Sequence, residues 1–259
     1  MSDEARTWES LRPFDGTIAG DEQVVVIAMK GGAKSTIVAS LTLDVPSLVA
    51  IDDKSRMTLP GAVIFDLPPY DKAAVDEYDE ALRSALLWRQ EARRVSLFGR
   101  AQPTGPATSD RVILRVDPLD ADMPDPHDRI FRAVFLYRPD TLLWIDEISG
   151  TGATPHSVPR YLRAISARGR TRGIGMWTST QAAYGLIPGI LLRNAGYLIV
   201  GPIPPKDAKE VERDGRQGAE LAATLPTHTG RFMIWRQGEL EPYRLYVPIP
   251  ARLARWEAP

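Results

Sequence analysis

The chain has 259 residues, 44% of them hydrophobic and 25% charged, which describes a folded globular protein and excludes disordered or collagen-like classes. Thirty-two basic against 33 acidic side chains leave a formal net charge of -1, so any nucleic acid must meet a local patch or a pore rather than the field of the whole molecule. Cysteine is absent, which removes disulfide frameworks, thiolate metal sites, iron-sulfur clusters and cysteine nucleophiles together.

The first twenty residues are acidic and polar, without the basic start and apolar run of a secretory signal, and no stretch approaches the ~20 apolar residues of a membrane span. The expectation is a cytoplasmic protein with no membrane partner. Three histidines, His127, His156 and His228, form no H-E-x-x-H pair, which argues against a zinc hydrolase. Residues 1–20 and 251–259 are expected to be peripheral tails around one domain spanning 21–250.

Short apolar runs recur along the chain: Val24 to Ala28, Leu48 to Ile51, Ala62 to Phe65, Val112 to Val116, Leu142 to Ile145, Ile174 to Thr178, Tyr197 to Val200 and Phe232 to Trp235. They lack alternation, as strands covered on both faces do, and helical patterns fall between several of them, most clearly over Asp76 to Arg94 and His156 to Ala167. Gln102 to Asp128 is rich in proline and aspartate and is expected to be a loop-rich excursion. Gly230 to Pro248 alternates about Gln237-Gly238 as a terminal β-hairpin does. The fold class is therefore α/β, with a mainly parallel central sheet flanked by helices.

The segment from Val24 through Met29-Lys30-Gly31-Gly32-Ala33-Lys34-Ser35-Thr36 is a β-branched strand, a glycine turn and the opening of a helix. Phosphate loops are built this way. Backbone N–H groups curl around an anion, a lysine reaches the β/γ-phosphates and a hydroxyl meets Mg²⁺, all at a helix N-terminus that favours negative charge. Lys34 and Ser35 take the last two roles, and residues 30–36 form the candidate ATP cradle. Both defining glycines of G-x-x-x-x-G-K-[ST] are alanine here, at Ala28 and Ala33, so strain of about 1 kcal/mol is expected at Ala33. An ordinary glycine turn before an amphipathic helix is the alternative.

Leu142-Leu143-Trp144-Ile145 ends in Asp146-Glu147. In phosphate-loop enzymes the strand beside the loop ends in such a pair, the first acid holding Mg²⁺ and the second polarising the attacking water. Asp52-Asp53 and Asp66 are other strand-end acids without a following glutamate. The run from Ile174 leads into Ser179-Thr180-Gln181, which places Gln181 where a γ-phosphate or lytic water is sensed; capping of a helix by the two hydroxyls is the alternative.

These motifs, followed by Arg168-Gly169-Arg170-Thr171-Arg172-Gly173-Ile174 and Ser179-Thr180-Gln181 in order, resemble the FtsK/HerA superfamily of ring ATPases, best over Leu142 to Trp235. The resemblance implies a RecA/ASCE-like phosphate-loop core and a hexameric or pentameric ring with ATP between subunits. It also implies double-stranded DNA as cargo and an arginine finger donated in trans, Arg170 first and Arg172 next. Helix-dipole complementation by Arg168, Arg170 and Arg172 is the alternative. A bare motor domain looks most like a viral genome-packaging ATPase, with a portal or capsid protein as partner and the host cytoplasm as location. Arg89, Arg93 and Arg94, or the Gln102 to Asp128 excursion, are candidate DNA contacts. Two other classes share the loop. One is a ParA/MinD-type dimeric ATPase, which Lys30-Gly31-Gly32-Ala33-Lys34-Ser35-Thr36 resembles with one glycine missing; the other is a degenerate nucleotide-binding scaffold.

Overall fold

Each apolar run becomes a strand because its β-branched and aromatic side chains fit a pleated surface packed on both faces. The computed structural model describes residues 7–97, 110–121, 123–181 and 184–248. In chain order the elements are β1 (Gln23–Ile27), α1 (Lys34–Leu41), β2 (Ser47–Asp52), β3 (Ala62–Asp66), α2 (Val75–Leu97), β4 (Asp110–Arg115), α3 (Pro124–Tyr137), β5 (Leu142–Ile145), α4 (Arg160–Arg168), β6 (Gly175–Thr180), α5 (Gly189–Asn194), β7 (Tyr197–Val200), α6 (Pro205–Arg213), β8 (Arg231–Arg236) and β9 (Tyr243–Tyr246).

The strands form one sheet in the order β3-β4-β2-β5-β6-β1-β7-β8-β9. Pairings from β3 through β7 are parallel, and β8 and β9 close the far edge as an antiparallel hairpin. Side chains of β1 alternate between two cores. Val25 and Ile27 join the core under α2 to α6, whereas Val24 and Val26 join the one that buries Ile37 and Val38 of α1. Trp144, Trp177 and Trp235 are fully buried. At roughly 1.5–3 kcal/mol for each large apolar side chain taken from water, these layers supply the driving force that fixes the strand ends in space.

All eight expected strands are present, along with the C-terminal hairpin. The expected excursion differs. Residues 102–109 lie outside the described residues, but its end opens α3, with Pro124 in the first helical turn, where a missing N–H costs no hydrogen bond. Residues 7–18, expected to be peripheral, are laid against the hairpin. Trp8 Nε1 donates to the Phe232 carbonyl at 2.9 Å, Phe14 N donates to the Arg244 carbonyl at 2.9 Å, and Leu11 and Ile18 are buried. Residues 1–6 and 249–259 lie outside the described residues. Among those described, no helix is long and apolar enough to cross a membrane.

Candidate active site

The carboxyl end of β1 turns through residues 28–33 into α1. Met29 N is tied to the Pro202 carbonyl at 2.8 Å and Ala28 N to the Thr180 carbonyl at 3.3 Å, so the loop is anchored to the ends of its two neighbouring strands. Gly31 has φ +76°, and a Cβ on Gly32 would stand 2.6 Å from the Ala28 methyl, so both positions require glycine. A Cβ on Gly201 would likewise stand 2.9 Å from that methyl, so Ala28 occupies space that two bare glycines leave open. Ala33 adopts the left-handed conformation, φ +59° and ψ +30°. Its backbone keeps the shape that the usual glycine supplies, at a cost of order 1 kcal/mol. Lys34 opens the helix and is buried, while Ser35 beside it is exposed.

Asp146 and Glu147 follow β5, and here the structure corrects the sequence reading. The acid-bearing strand does not lie beside β1; β6 runs between them. The acids nevertheless reach the loop, because β6 ends level with β1, Thr180 opposite Ile27, and β5 stops two residues short of that level, Ile145 opposite Thr178, so Asp146 and Glu147 continue alongside Ser179 and Thr180. Ser35 Oγ donates to Asp146 Oδ1 at 2.7 Å. Ser179 Oγ donates to the Asp146 carbonyl at 2.7 Å, and Lys54 Nζ stands 3.9 Å from Asp146 Oδ2.

Glu147 is held by more donors than its neighbour. Its Oε1 accepts from Thr180 Oγ1 at 2.7 Å and Ser149 Oγ at 2.9 Å, and its Oε2 accepts from the Gln181 N–H at 3.0 Å. Ser179 and Thr180 are thus strand residues whose hydroxyls position the acids. Gln181 is exposed at the tip of β6, between the loop and the acid pair.

The other strand-end acids have structural work. Asp52 is buried and accepts from the backbone N–H groups of Lys54, Arg56 and Met57. Asp53 faces His127 Nε2 at 3.1 Å, and Asp66 lies 3.7 Å from an Arg115 nitrogen.

Arg170 lies at the other end of the sheet. It precedes β6 in the turn Gly169–Arg172 and forms an ion pair with Glu22, just ahead of β1. The six residues of β6 separate it from the acid pair by about 20 Å. Arg172 stacks over Phe135 at 4.9 Å from the ring centroid. Arg168 ends α4, where its charge complements the helix dipole. Arg89 lies on α2, and the Arg93 and Arg94 side chains lie outside the described residues.

A hydroxyl and a carboxylate oxygen 2.7 Å apart beside the loop suit Mg²⁺, which takes one or two protein oxygens and completes its shell with phosphate and water. Among the described residues no group of three metal-ligating side chains offers a protein-only cage instead.

The sequence matches no protein-family model and no curated protein. Solved structures do match. The genome packaging NTPase B204 from Sulfolobus turreted icosahedral virus 2, in complex with AMPPCP, is similar over 90% of this chain and 100% of its own, with TM-score 0.60 and 17% identity. The chain has the fold of this genome packaging NTPase. VirB4 of Thermoanaerobacter pseudethanolicus shares that fold over 95% of this chain and 96% of its own, with TM-score 0.57 and 13% identity. The bacterial conjugative coupling protein TrwB does so over 90% and 86%, with TM-score 0.53 and 13% identity. Two side chains beside the site carry no motif in the sequence, Lys54 against Asp146 and His228 against the loop, and Thr180, part of the Ser179-Thr180-Gln181 motif, supports Glu147 in a way that motif does not state.

Proposed function

We propose that the chain binds Mg-ATP at residues 30–36, hydrolyses it at subunit interfaces of a homo-oligomeric ring, and couples the cycle to movement of double-stranded DNA, as in a genome-packaging motor. The observation that carries the reading is the 2.7 Å contact from Ser35 Oγ to Asp146 Oδ1, which joins the loop to the acid strand across an intervening strand. Ser35 and Asp146 would hold Mg²⁺, which would supply neutralisation of the phosphate charge. The loop N–H groups and Lys34 hold the phosphates, and Glu147 orients water and accepts its proton. Gln181, projecting beside Glu147, lies where the terminal phosphate is sensed.

Arg170 is too far from its own loop to serve it, which favours a role toward a neighbour's ATP. That role requires exchange of Glu22 for phosphate. The similarity to a packaging NTPase and to a conjugative coupling protein supports DNA as the cargo, and a viral portal or capsid protein as a docking partner follows from the packaging reading alone. A degenerate scaffold would have no use for the hydroxyl-carboxylate pair and the four-donor environment of Glu147. Steady-state ATP hydrolysis by the purified chain tests the reading, with Lys34→Ala as the blank. Turnover that needs Mg²⁺ and disappears in Lys34→Ala supports it; turnover unchanged in Lys34→Ala places the phosphates elsewhere.

A further inference from the structure

The segment between α6 and β8 crosses the tip of the phosphate loop and puts His228 on it. His228 N donates to the Gly31 carbonyl at 3.2 Å, and its ring Nε2 lies 2.8 Å from the point where a Cβ on Gly31 would stand. The residue sits at φ +58°, a left-handed conformation that few residues other than glycine adopt. Its surroundings hold it there. Leu225 is buried, Thr229 Oγ1 donates to the Pro226 carbonyl at 2.9 Å, and Val247 N donates to the Gly230 carbonyl at 2.9 Å. A strained residue pinned by its neighbours over a ligand loop, with an exposed ring, has the marks of a contact residue.

Sheet order tells which end of a nucleotide it meets. Asp146, Glu147 and Gln181 rise from β5 and β6, on one side of β1, and fix the terminal phosphate on that side. His228 leads into β8, two strands away on the other side of β1. β8 is antiparallel to β7, with Val200 opposite Met233, so β8 enters the sheet at the edge where the loop lies. A nucleotide whose phosphates run toward the acids must lead its nucleoside out past Gly31, under the imidazole. Resting on the proposal that residues 30–36 bind ATP, we infer that His228 is a nucleoside-contacting residue, placing its ring against the ribose or base.

The test compares ATP with inorganic tripolyphosphate, which carries the phosphates and no nucleoside, by calorimetric titration of the full chain. Glycine suits φ +58°, so His228→Gly removes the ring while relaxing the backbone, and tripolyphosphate binding reports that the loop remains intact. The inference expects ATP to bind roughly tenfold more weakly to His228→Gly, the size of one lost contact, with tripolyphosphate affinity unchanged. His228→Asn, which tolerates the same backbone and keeps a polar tip, should lose less. Equal ATP affinity in parent and His228→Gly overturns the inference, and so does an equal loss for both ligands, which would place the ring on the phosphates. A parent that binds neither ligand overturns the ATP-site proposal itself.

Discussion

Thr180 gives its hydroxyl to Glu147 Oε1 at 2.7 Å, so the tip of β6 fixes the orientation of a carboxylate that begins on the neighbouring strand end. Glu147→Gln can preserve this arrangement. The amide oxygen accepts from the Gln181 N–H while the amide nitrogen donates to the Thr180 and Ser149 hydroxyls, which reverse their roles, and only the long 3.5 Å contact from the Ser149 N–H is lost. ATP binding should therefore stay close to that of the parent, and turnover should fall by about 10²- to 10⁴-fold, as expected for a lost general base. Single-turnover kinetics with separately measured ATP affinity checks this. Unaltered turnover would leave Glu147 a strand-end anchor only.

Ala33 holds a left-handed backbone that glycine adopts without strain. Ala33→Gly is expected to keep the loop shape and ATP turnover, and to raise the melting temperature slightly, since relief of up to about 1 kcal/mol shifts a domain of this size by roughly 2–4 °C. The greater backbone freedom of glycine in the unfolded chain subtracts from that gain. A drop in turnover of tenfold or more would show that the methyl is part of the site.

These two residues also mark how far the sequence could be read. The phosphate loop, the acid pair and the strands that carry them were legible because each is a local pattern: a glycine turn before Lys34-Ser35, and an apolar run that stops at Asp146. What joins them was not. The hydroxyls of Ser179 and Thr180 reach the acids only through the β5–β6 register, and Lys54 meets Asp146 only because β2 is next to β5. The start of α3 is hidden in the sequence because Pro124 and Pro126 give it the composition of a loop, although prolines in the first turn of a helix are permitted. The placement of β6 between loop and acids reflects topology, which no single motif states.

His127 is fully buried, with Nδ1 2.8 Å from the Met123 carbonyl and Nε2 3.1 Å from Asp53 Oδ1, so both nitrogens face acceptors. Burial of the ring works against its charge, but the Asp53 carboxylate outweighs it and the pKa is raised above the usual histidine value. A raised folded-state pKa gives stability that is fully present below the unfolded value near 6.5 and is lost as pH climbs through the folded one. The difference in melting temperature between the parent and His127→Gln should be largest at acid pH and shrink on going alkaline. A difference independent of pH would mean that the ring is held neutral.

Arg170 and Glu147 sit at opposite ends of the sheet, which makes a mixing experiment informative. Arg170→Ala should bind ATP yet lose turnover, because an arginine supplied in trans contributes roughly 10³- to 10⁵-fold in rate. Mixed with Glu147→Gln, it creates some interfaces that pair an intact Glu147 with an intact neighbouring Arg170, and partial ATPase activity should return. No recovery in a mixture shown by labelled subunits to exchange would count against the trans role.

The proposed coupling of ATP turnover to double-stranded DNA has a direct biochemical readout. It is tested most directly by the steady-state ATPase rate with and without a long duplex of arbitrary sequence, measured at low and raised salt, with Glu147→Gln as the baseline. Backbone contacts that release counterions make DNA binding salt-dependent and indifferent to sequence. A DNA-coupled motor should show a rate that rises on adding duplex, loses that rise as salt increases, and stays at baseline in Glu147→Gln. An ATPase rate identical with and without DNA at low salt would contradict it.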